Sequence, residues 1–366
     1  MSIPVGSPAG AGGHNRRWVM ASRPDPEVRD ENFRLESVAM PAPGPGEFLV
    51  RTLYLSLAPV MRMYMLDGAG IEKPLEIGET MRGRGVGEVV ASNHPGFAVG
   101  DIVQGKLGWQ EYSVSDGSPY FMMYKVRQRR VPFSTALGVL GMTGFTAYLG
   151  LTEIGGIGRG QSVLVSGAAG GVGSNCGFIA RNLGCRVVGI AGTDEKCRLL
   201  VDRLGYDAAI NYRTEPVQQR IGALFPEGID IFFDNVGGEI LDAALAHINR
   251  YARVVLCGRI SQYLKSETDQ YRLRNWWRVG QRRARMQGFF IYDLEAHFAE
   301  AEARMAEWIA EGRMAYQEDV LEGIEQMPRA LIRLYEGRNV GKQLVRVAAP
   351  VTTAEPVPHA SGQTLP

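Results

Sequence analysis

The chain has 366 residues, more than the roughly 150 that one compact domain commonly takes, so two domains, or one large fold with an insertion, are expected. Forty Lys plus Arg against thirty-nine Asp plus Glu leave a formal charge of +1, which excludes the broad positive field of a general nucleic-acid or anionic-membrane binder. Apolar residues make up 45% and charged residues 22%, an ordinary globular composition that excludes a chain disordered throughout.

Residues 1–14, rich in Gly, Pro, Ser and Ala, carry no basic segment ahead of an apolar one and read as a flexible leader rather than a signal peptide. From there to about residue 148 short apolar runs are separated by turn residues. The clearest runs are Glu47-Phe-Leu-Val-Arg-Thr-Leu-Tyr-Leu-Ser, Val86-Gly-Glu-Val-Val-Ala-Ser, Asp101-Ile-Val-Gln-Gly and Trp109-Gln-Glu-Tyr-Ser-Val. Turn chemistry such as Pro41-Ala-Pro-Gly-Pro-Gly and Asn93-His-Pro-Gly lies between them, so this half reads as a mostly β domain. Before residue 150 the chain has no Cys, and its His residues there are His14 and His94. A zinc site built from thiolates and imidazoles has no material in this domain, and metal-free chemistry is expected. The four cysteines, Cys176, Cys185, Cys197 and Cys257, form no CxxC pair and no disulfide framework.

Past residue 160 the pattern changes to apolar strands alternating with helices. Strands are expected at 162–166, 186–191, 208–211, 230–234, 253–258 and 286–291, with helices at 173–183, 194–204, 215–224 and 239–248 between them. Such alternation implies parallel pairing with helices on both faces, an α/β fold with a doubly wound parallel sheet. Helices are expected over 294–314 and 320–337. A last strand over 342–347 is expected to return to the first domain, and residues 348–366 read as a disordered tail. No run approaches the ~18 to 20 uncharged apolar residues of a membrane span, so a cytoplasmic enzyme is expected.

The 46 glycines exceed the usual share of roughly 7%, and the group that matters is Gly167-Ala-Ala-Gly170-Gly171-Val-Gly173, set between an apolar strand and a helix. Small residues there let the backbone approach a pyrophosphate, and the helix start offers N–H donors and a positive dipole end. A plain tight turn would also collect glycine, but the strand before, the helix after and the next strand all match the context that dinucleotide binding requires. The next strand ends at Ile190-Ala-Gly-Thr193 with no acid at its tip to bond a ribose 2′-hydroxyl. Lys196, with Arg213, would neutralise a 2′-phosphate, favouring NADP over NAD. Asp194 and Glu195 point the other way unless they serve as first-turn acids of their helix.

These residues resemble the zinc-independent medium-chain dehydrogenases/reductases, and among them the prostaglandin/leukotriene reductases, plant alkenal double-bond reductases and bacterial curcumin-reductase-like enzymes. The likeness runs from about residue 15 to 347. It rests on Asn15-Arg-Arg-Trp-Val, Leu55-Ser-Leu-Ala-Pro-Val-Met-Arg, Met81-Arg-Gly, Gly108-Trp-Gln-Glu-Tyr-Ser, Gly141-Met-Thr-Gly-Phe-Thr-Ala-Tyr and the glycine loop. It continues in Asp234-Asn-Val-Gly-Gly, Cys257-Gly-Arg-Ile-Ser-Gln-Tyr and Asn339-Val-Gly-Lys. The resemblance implies a GroES-like, mostly β substrate domain (15–150 and 315–347) and a Rossmann NADP-binding domain (151–314). It implies NADPH-dependent reduction of the C=C bond of α,β-unsaturated ketones or aldehydes, and a homodimer pairing its last Rossmann strands, here residues 286–292.

Carried over position by position, Gly170, Gly171, Val172 and Gly173 would meet the pyrophosphate, and Lys196 and Tyr212 the adenosine phosphate. Met142, Thr143, Asn235, Cys257, Gly258, Ile260, Ser261, Tyr263, Phe289, Phe290, Ile291 and Asn339 would line the rest of the NADP(H) site. Relatives commonly read Asp-Pro-Tyr-Met-Arg where this chain has Ala58-Pro-Val60-Met-Arg62, so a Tyr often set over the substrate is replaced by Val60, and the role of that position is lost. Tyr64 and Trp109 are further candidates for the substrate pocket, although such aromatics serve equally well in a core.

For an enone, hydride reaches the β-carbon and charge develops on the carbonyl oxygen, where a donor would stabilise it. Tyr263, just past the strand ending at Cys257, is the candidate catalytic residue; a loop aromatic packed on the cofactor is the competing reading. A quinone reductase on the same scaffold and a non-catalytic cofactor-binding protein are the alternatives. The arginine-rich stretch 271–286, with Trp276 and Trp277, could bind an acidic substrate or nucleic acid, but with the chain near neutral overall it reads better as a solvated helix face with its apolar side packed.

Overall fold

The computed structural model describes residues 13–67, 72–128, 130–263, 265, 268–352 and 354–356. Most of the expected leader, residues 1–12, and the end of the tail, 357–366, lie outside them. The chain forms two compact units. Within the described residues the first holds 13–134, 320–332 and 344–356, and the second holds 135–319 and 333–343. None of the helices is long and apolar enough to cross a membrane.

In the first unit β1 (His14–Met20) pairs antiparallel with β2 (Phe33–Ala39), Trp18 opposite Leu35. The strands β3 (Phe48–Ser56), β4 (Arg84–Ser92), β5 (Ile102–Lys106), β6 (Tyr112–Ser115) and β7 (Tyr124–Lys125) follow, with a single helical turn, α1 (Met61–Tyr64), after β3. Phe48, Val50, Val89, Val103 and Leu107 are buried together and form a core under β3, β4 and β5. Three of the runs read from the sequence as strands supply Phe48, Val50, Val89 and Val103 of this core, because alternation places one side of each strand inside.

The second unit opens with α2 (Met142–Leu149) and continues β8 (Ser162–Val165), α3 (Gly173–Asn182), β9 (Arg186–Ala191), α4 (Asp194–Arg203), β10 (Ala208–Asn211) and α5 (Val217–Leu224). Then come β11 (Ile229–Asp234), α6 (Gly238–Leu245), β12 (Ile248–Leu256), α7 (Arg278–Arg282), β13 (Arg285–Gly288) and α8 (Phe298–Ala310). The strands pair in parallel in the order β10-β9-β8-β11-β12-β13. That is the doubly wound order 3-2-1-4-5-6 of the dinucleotide-binding fold. One face buries Leu164, Val188, Phe232 and Val254 against Ile221 of α5 and Leu241 of α6. Elsewhere in this unit α2 meets α8, Phe145 stacking on Phe298 at 4.8 Å.

Last come β14 (Glu318–Glu322), α9 (Met327–Tyr335) and β15 (Lys342–Arg346). The seven-stranded sheet among the described residues runs β14-β15-β3-β4-β5-β7, with β6 on β3. β15 pairs antiparallel with β3, Leu344 opposite Ser56, so the last strand returns as expected.

Several elements differ from the sequence expectation. The helix expected over 320–337 begins only at Met327, because 318–322 is strand and Gly323 turns the chain at a φ of 91°. The helix expected over 294–314 is split, with Leu294 at non-helical angles before α8 starts at Phe298. The sixth parallel strand ends at Gly288 instead of running to 291. Residues 348–352 and 354–356, in the stretch expected to be disordered, are tied down. The Glu88 carboxylate accepts the Val351 and Thr352 N–H groups at 2.5 and 2.8 Å, and the Tyr54 hydroxyl donates to Glu355 at 3.0 Å.

Candidate active site

The glycine loop leaves the carboxyl end of β8 and enters α3 within seven residues. Gly167 takes a φ of 58°, the left-handed region that only glycine adopts cheaply. At Gly173 an added Cβ would stand 2.4 Å from the Gly167 carbonyl oxygen, so the first turn of α3 closes onto the loop only with glycine there. Tyr206 fixes the same turn from behind, its hydroxyl donating to the Gly173 carbonyl at 2.6 Å. On the outer side the Cβ position of Gly170 has only the Gly167 oxygen nearby, at 3.2 Å. The N–H groups of Gly171 and Val172 meet no backbone carbonyl among the described residues. An open backbone surface with free donors at a helix start suits the oxygens of a pyrophosphate.

At the end of β9 the Tyr212 ring lies 2.9–3.1 Å from the Cβ position of Gly192, and the Arg213 guanidinium sits 5.8 Å from that ring. Thr193 caps α4 by accepting the Lys196 N–H at 3.2 Å, and this cap aims the lysine. The Lys196 ammonium donates to the Gly337 carbonyl at 2.7 Å. Burial, then Arg213, lowers its pKa against the opposing pull of Asp319, which is itself paired with Arg333 at 3.0 Å. Lys196 and Arg213, two cations with no carboxylate of their own in ion-pair contact among the described residues, fit a phosphate monoester. The two acids that pointed toward NAD are engaged elsewhere. Asp194 accepts the Asn211 amide at 2.6 Å, and Glu195 is held below the usual carboxylate range by its own N–H, Thr193 and Arg198.

The next wall comes from β11 and β12. Asp234 is buried and accepts the Ser166 hydroxyl at 2.6 Å and the N–H groups of Val236 and Gly237. Burial outweighs these bonds and raises its pKa. The Asn235 amide donates to the Ser166 carbonyl at 2.8 Å, locking this turn against the glycine loop. The loop after β12 then folds back: Cys257 and Gly258 donate to the Asp234 carbonyl, Ile260 to the Asn235 carbonyl and Ser261 to that of Val236. Burial pushes the Cys257 thiol up to about 12, so it is neutral at ordinary pH. Tyr263 ends the short 3-10 turn Ile260–Gln262; it is half-buried, and burial raises its phenol pKa, keeping it a hydrogen donor. Phe289 reaches toward Gly150, its Cζ 3.1 Å from that Cβ position, whereas Phe290 is exposed and stands against Tyr292. Ile291 begins the following turn.

The fourth part arrives from far along the chain. Gly341 bridges to Gly170 and donates to the Ala169 carbonyl at 2.8 Å, while the Asn339 amide donates to the Gly341 carbonyl at 2.9 Å. Lys342 follows, buried, its Cδ 3.2 Å from the Cβ position of Gly171. Burial lowers its pKa to about 8 against the opposing pull of Glu318. Thr143, on the first turn of α2 beside Met142, has its Cγ2 3.5 Å from the same point on Gly171 and a buried hydroxyl with no partner. A buried donor left over beside an open glycine backbone is a second feature that fits a bound dinucleotide. Sequence reasoning missed Lys342 although it quoted the motif; only the strand bridge, a long-range feature, brings it to the loop.

In the first unit Val60 and Tyr64 begin and end the α1 turn, both partly exposed, with the Arg82 guanidinium 5.9 Å from the Tyr64 ring. Trp109 has no exposed surface and stacks on Phe33 at 5.4 Å, a core position. Among the described residues no three His, Cys, Asp or Glu side chains are grouped to hold a metal ion.

A doubly wound unit with this loop, joined to a β-rich unit, defines a dinucleotide-dependent oxidoreductase, and the comparisons with known proteins agree. Residues 16–123 match the family described as the N-terminal domain of oxidoreductase, and residues 171–311 match the zinc-binding dehydrogenase family. The chain belongs to the medium-chain dehydrogenases/reductases, in the group that contains curcumin, 2-alkenal and prostaglandin reductases. It is 41% identical over 339 residues to the NADPH-dependent curcumin reductase of Escherichia coli (strain K12), covering 91% of this chain and 97% of that one. It is 38% identical to the 2-alkenal reductase (NADP(+)-dependent) of Nicotiana tabacum, covering 88% and 94%. The crystal structure of CurA in complex with NADPH from Vibrio vulnificus matches with a TM-score of 0.86 and 41% identity, covering 92% of this chain and all of that one.

Proposed function

We propose that this enzyme uses NADPH to reduce the C=C bond of α,β-unsaturated ketones or aldehydes. The observation that carries the reading is the convergence, in the second unit, of an open glycine loop, a cationic pocket at Lys196 and a half-buried phenol at Tyr263, in a chain similar to NADPH-dependent curcumin reductase over nearly its whole length. NADP(H) is the cofactor. Gly170, Gly171, Val172 and Gly173 hold its pyrophosphate, Lys196 and Tyr212 its 2′-phosphate, and Met142, Thr143, Asn235, Cys257, Gly258, Ile260, Ser261, Phe289 to Ile291 and Asn339 the remainder. When bound, NADPH supplies the hydride for the reduction.

The protein's own part is orientation and charge. Tyr263, kept protonated by burial, donates a hydrogen bond to the substrate carbonyl oxygen as negative charge grows there, a contribution of roughly 10²-fold or more. In the first unit, the resemblance assigns Val60 and Tyr64 to substrate contact, and Val60 offers no hydroxyl where relatives commonly carry a Tyr. A panel of one enal, one cyclic enone, one quinone and one saturated ketone, each mixed with enzyme and NADPH, tests the reading. NADPH oxidation with the enal and enone supports it, and turnover of the quinone alone contradicts it. We also propose a homodimer through β13, an edge strand whose Met286 is exposed.

A further inference from the structure

The glycine loop lies at the carboxyl end of β8, so the opposite, amino end of the same parallel sheet is remote from the cofactor residues. Arg250 stands at that end of β12, three residues before Arg253, where pairing with β13 begins. The turn of α7 brings Arg278, Gln281 and Arg282 beside it, and Arg283 follows. These five residues line a shallow cleft of about 260 Å³. Elsewhere arginines such as Arg16, Arg23, Arg220 and Arg333 face carboxylates. None of the four cleft arginines has such a partner among the described residues.

Two local features hold this uncompensated charge in place. Arg278 lies over the Trp277 ring at 5.0 Å, and its Nε is buried with no hydrogen-bond partner. Arg283 lies over the Tyr251 ring at 5.4 Å. Both of the latter residues take a left-handed backbone, with φ of 53° and 63°, a conformation found at just one other non-glycine among the described residues, Met122. Side chains at such angles persist where the surroundings over-determine them, and they concentrate at ligand sites. Arg250, Arg282 and Arg283 are exposed and Arg278 is partly buried, so solvent screens much of their repulsion; what the cleft offers an anion is four guanidinium groups with no carboxylate among them, whose planar forks match phosphate oxygens two at a time.

We propose that this cleft binds a small phosphate-bearing anion of diphosphate size through Arg250, Arg278, Arg282 and Arg283. The site is separate from the cofactor pocket and does not depend on the reaction assigned above. The test uses full-length protein with the cofactor site saturated by NADP+, and inorganic pyrophosphate as the probe. Binding is followed by calorimetry and by tryptophan emission, with Trp277→Phe identifying the part of the change that comes from Trp277, which lies under Arg278. Saturable binding is expected. Arg282→Glu weakens it about tenfold or more with NADP+ affinity unchanged. Arg283→Gly relieves the left-handed backbone, so it is expected to keep or raise Tm while still weakening pyrophosphate binding. Absence of saturable binding would overturn the proposal, as would unchanged affinity in both variants. A shift in oligomeric mass with Arg282→Glu and no pyrophosphate signal in either protein would make the cluster a contact between copies and overturn it too.

Discussion

Lys196 spends its ammonium on a single backbone carbonyl in a pocket shared with Arg213 and within reach of Arg333. Such a group gains most from an incoming dianion, so Lys196→Ala is expected to raise the KM for NADPH by about tenfold or more and to leave that for NADH nearly unchanged. Equal effects on both would remove the phosphate role. Tyr263 allows an equally direct measurement: Tyr263→Phe keeps the ring and removes the donor, so kcat on enones is expected to fall by about tenfold or more with little change in KM for NADPH. An unaltered kcat would leave Tyr263 a packing residue. The position of Lys196 at the start of α4, just past the end of β9, was legible in the sequence because its signal is local, a helix pattern opening directly after a strand tip that lacks an acid. Trp109 stood open between substrate pocket and core because its motif says nothing of burial; the structure packs it against Phe33 and Gly83 with no exposed surface.

Between residues and the whole stand the glycine loop and the 339–343 strap that bridges to it. Gly173→Ala would push a methyl onto the Gly167 carbonyl, 2.4 Å away. It is expected to destabilise the protein by about 1–3 kcal/mol and to raise the KM for NADPH, measured by denaturation and steady-state kinetics. The strap carries its own pH signature. Lys342 has a folded-state pKa of about 8 against 10.5 for the free side chain. Between those values the unfolded chain holds a proton that the folded one has released, so this group makes stability rise with pH across the window. Raised Tyr and Cys pKa values act in the opposite sense, so the difference between proteins is the quantity to measure. The stability of Lys342→Met relative to wild type is expected to fall as pH rises from about 8 to 10.5 and to be flat from 6 to 7. A flat difference throughout would place the ammonium in water. β14 escaped the sequence reading: five residues of strand before Gly323 merge with an amphipathic helix pattern, and only pairing with distant strands separates them.

At the scale of the whole chain, the six strands of the parallel sheet were legible because each is a short apolar run bounded by a helix pattern, a signal that survives without any knowledge of partners. The β1–β2 pair was not. Its strands are separated by residues 21–32 and bury only part of one face, so neither alternation nor a tight turn announces them. The proposed dimer belongs to this scale as well. Light scattering on wild-type protein is expected to give twice the chain mass of 40.1 kDa, and a charged substitution on the exposed edge, Met286→Glu, should shift it toward the monomer. A dimer that persists unchanged would move the interface away from β13. The account as a whole rests on where hydride is delivered, and isotopic labelling reads that directly. With NADPH carrying deuterium at the transferable position and an enone substrate, NMR of the product is expected to place deuterium on the β-carbon of a saturated ketone. Deuterium on the carbonyl carbon of an allylic alcohol, or no consumption of NADPH with any enone or enal, would contradict it.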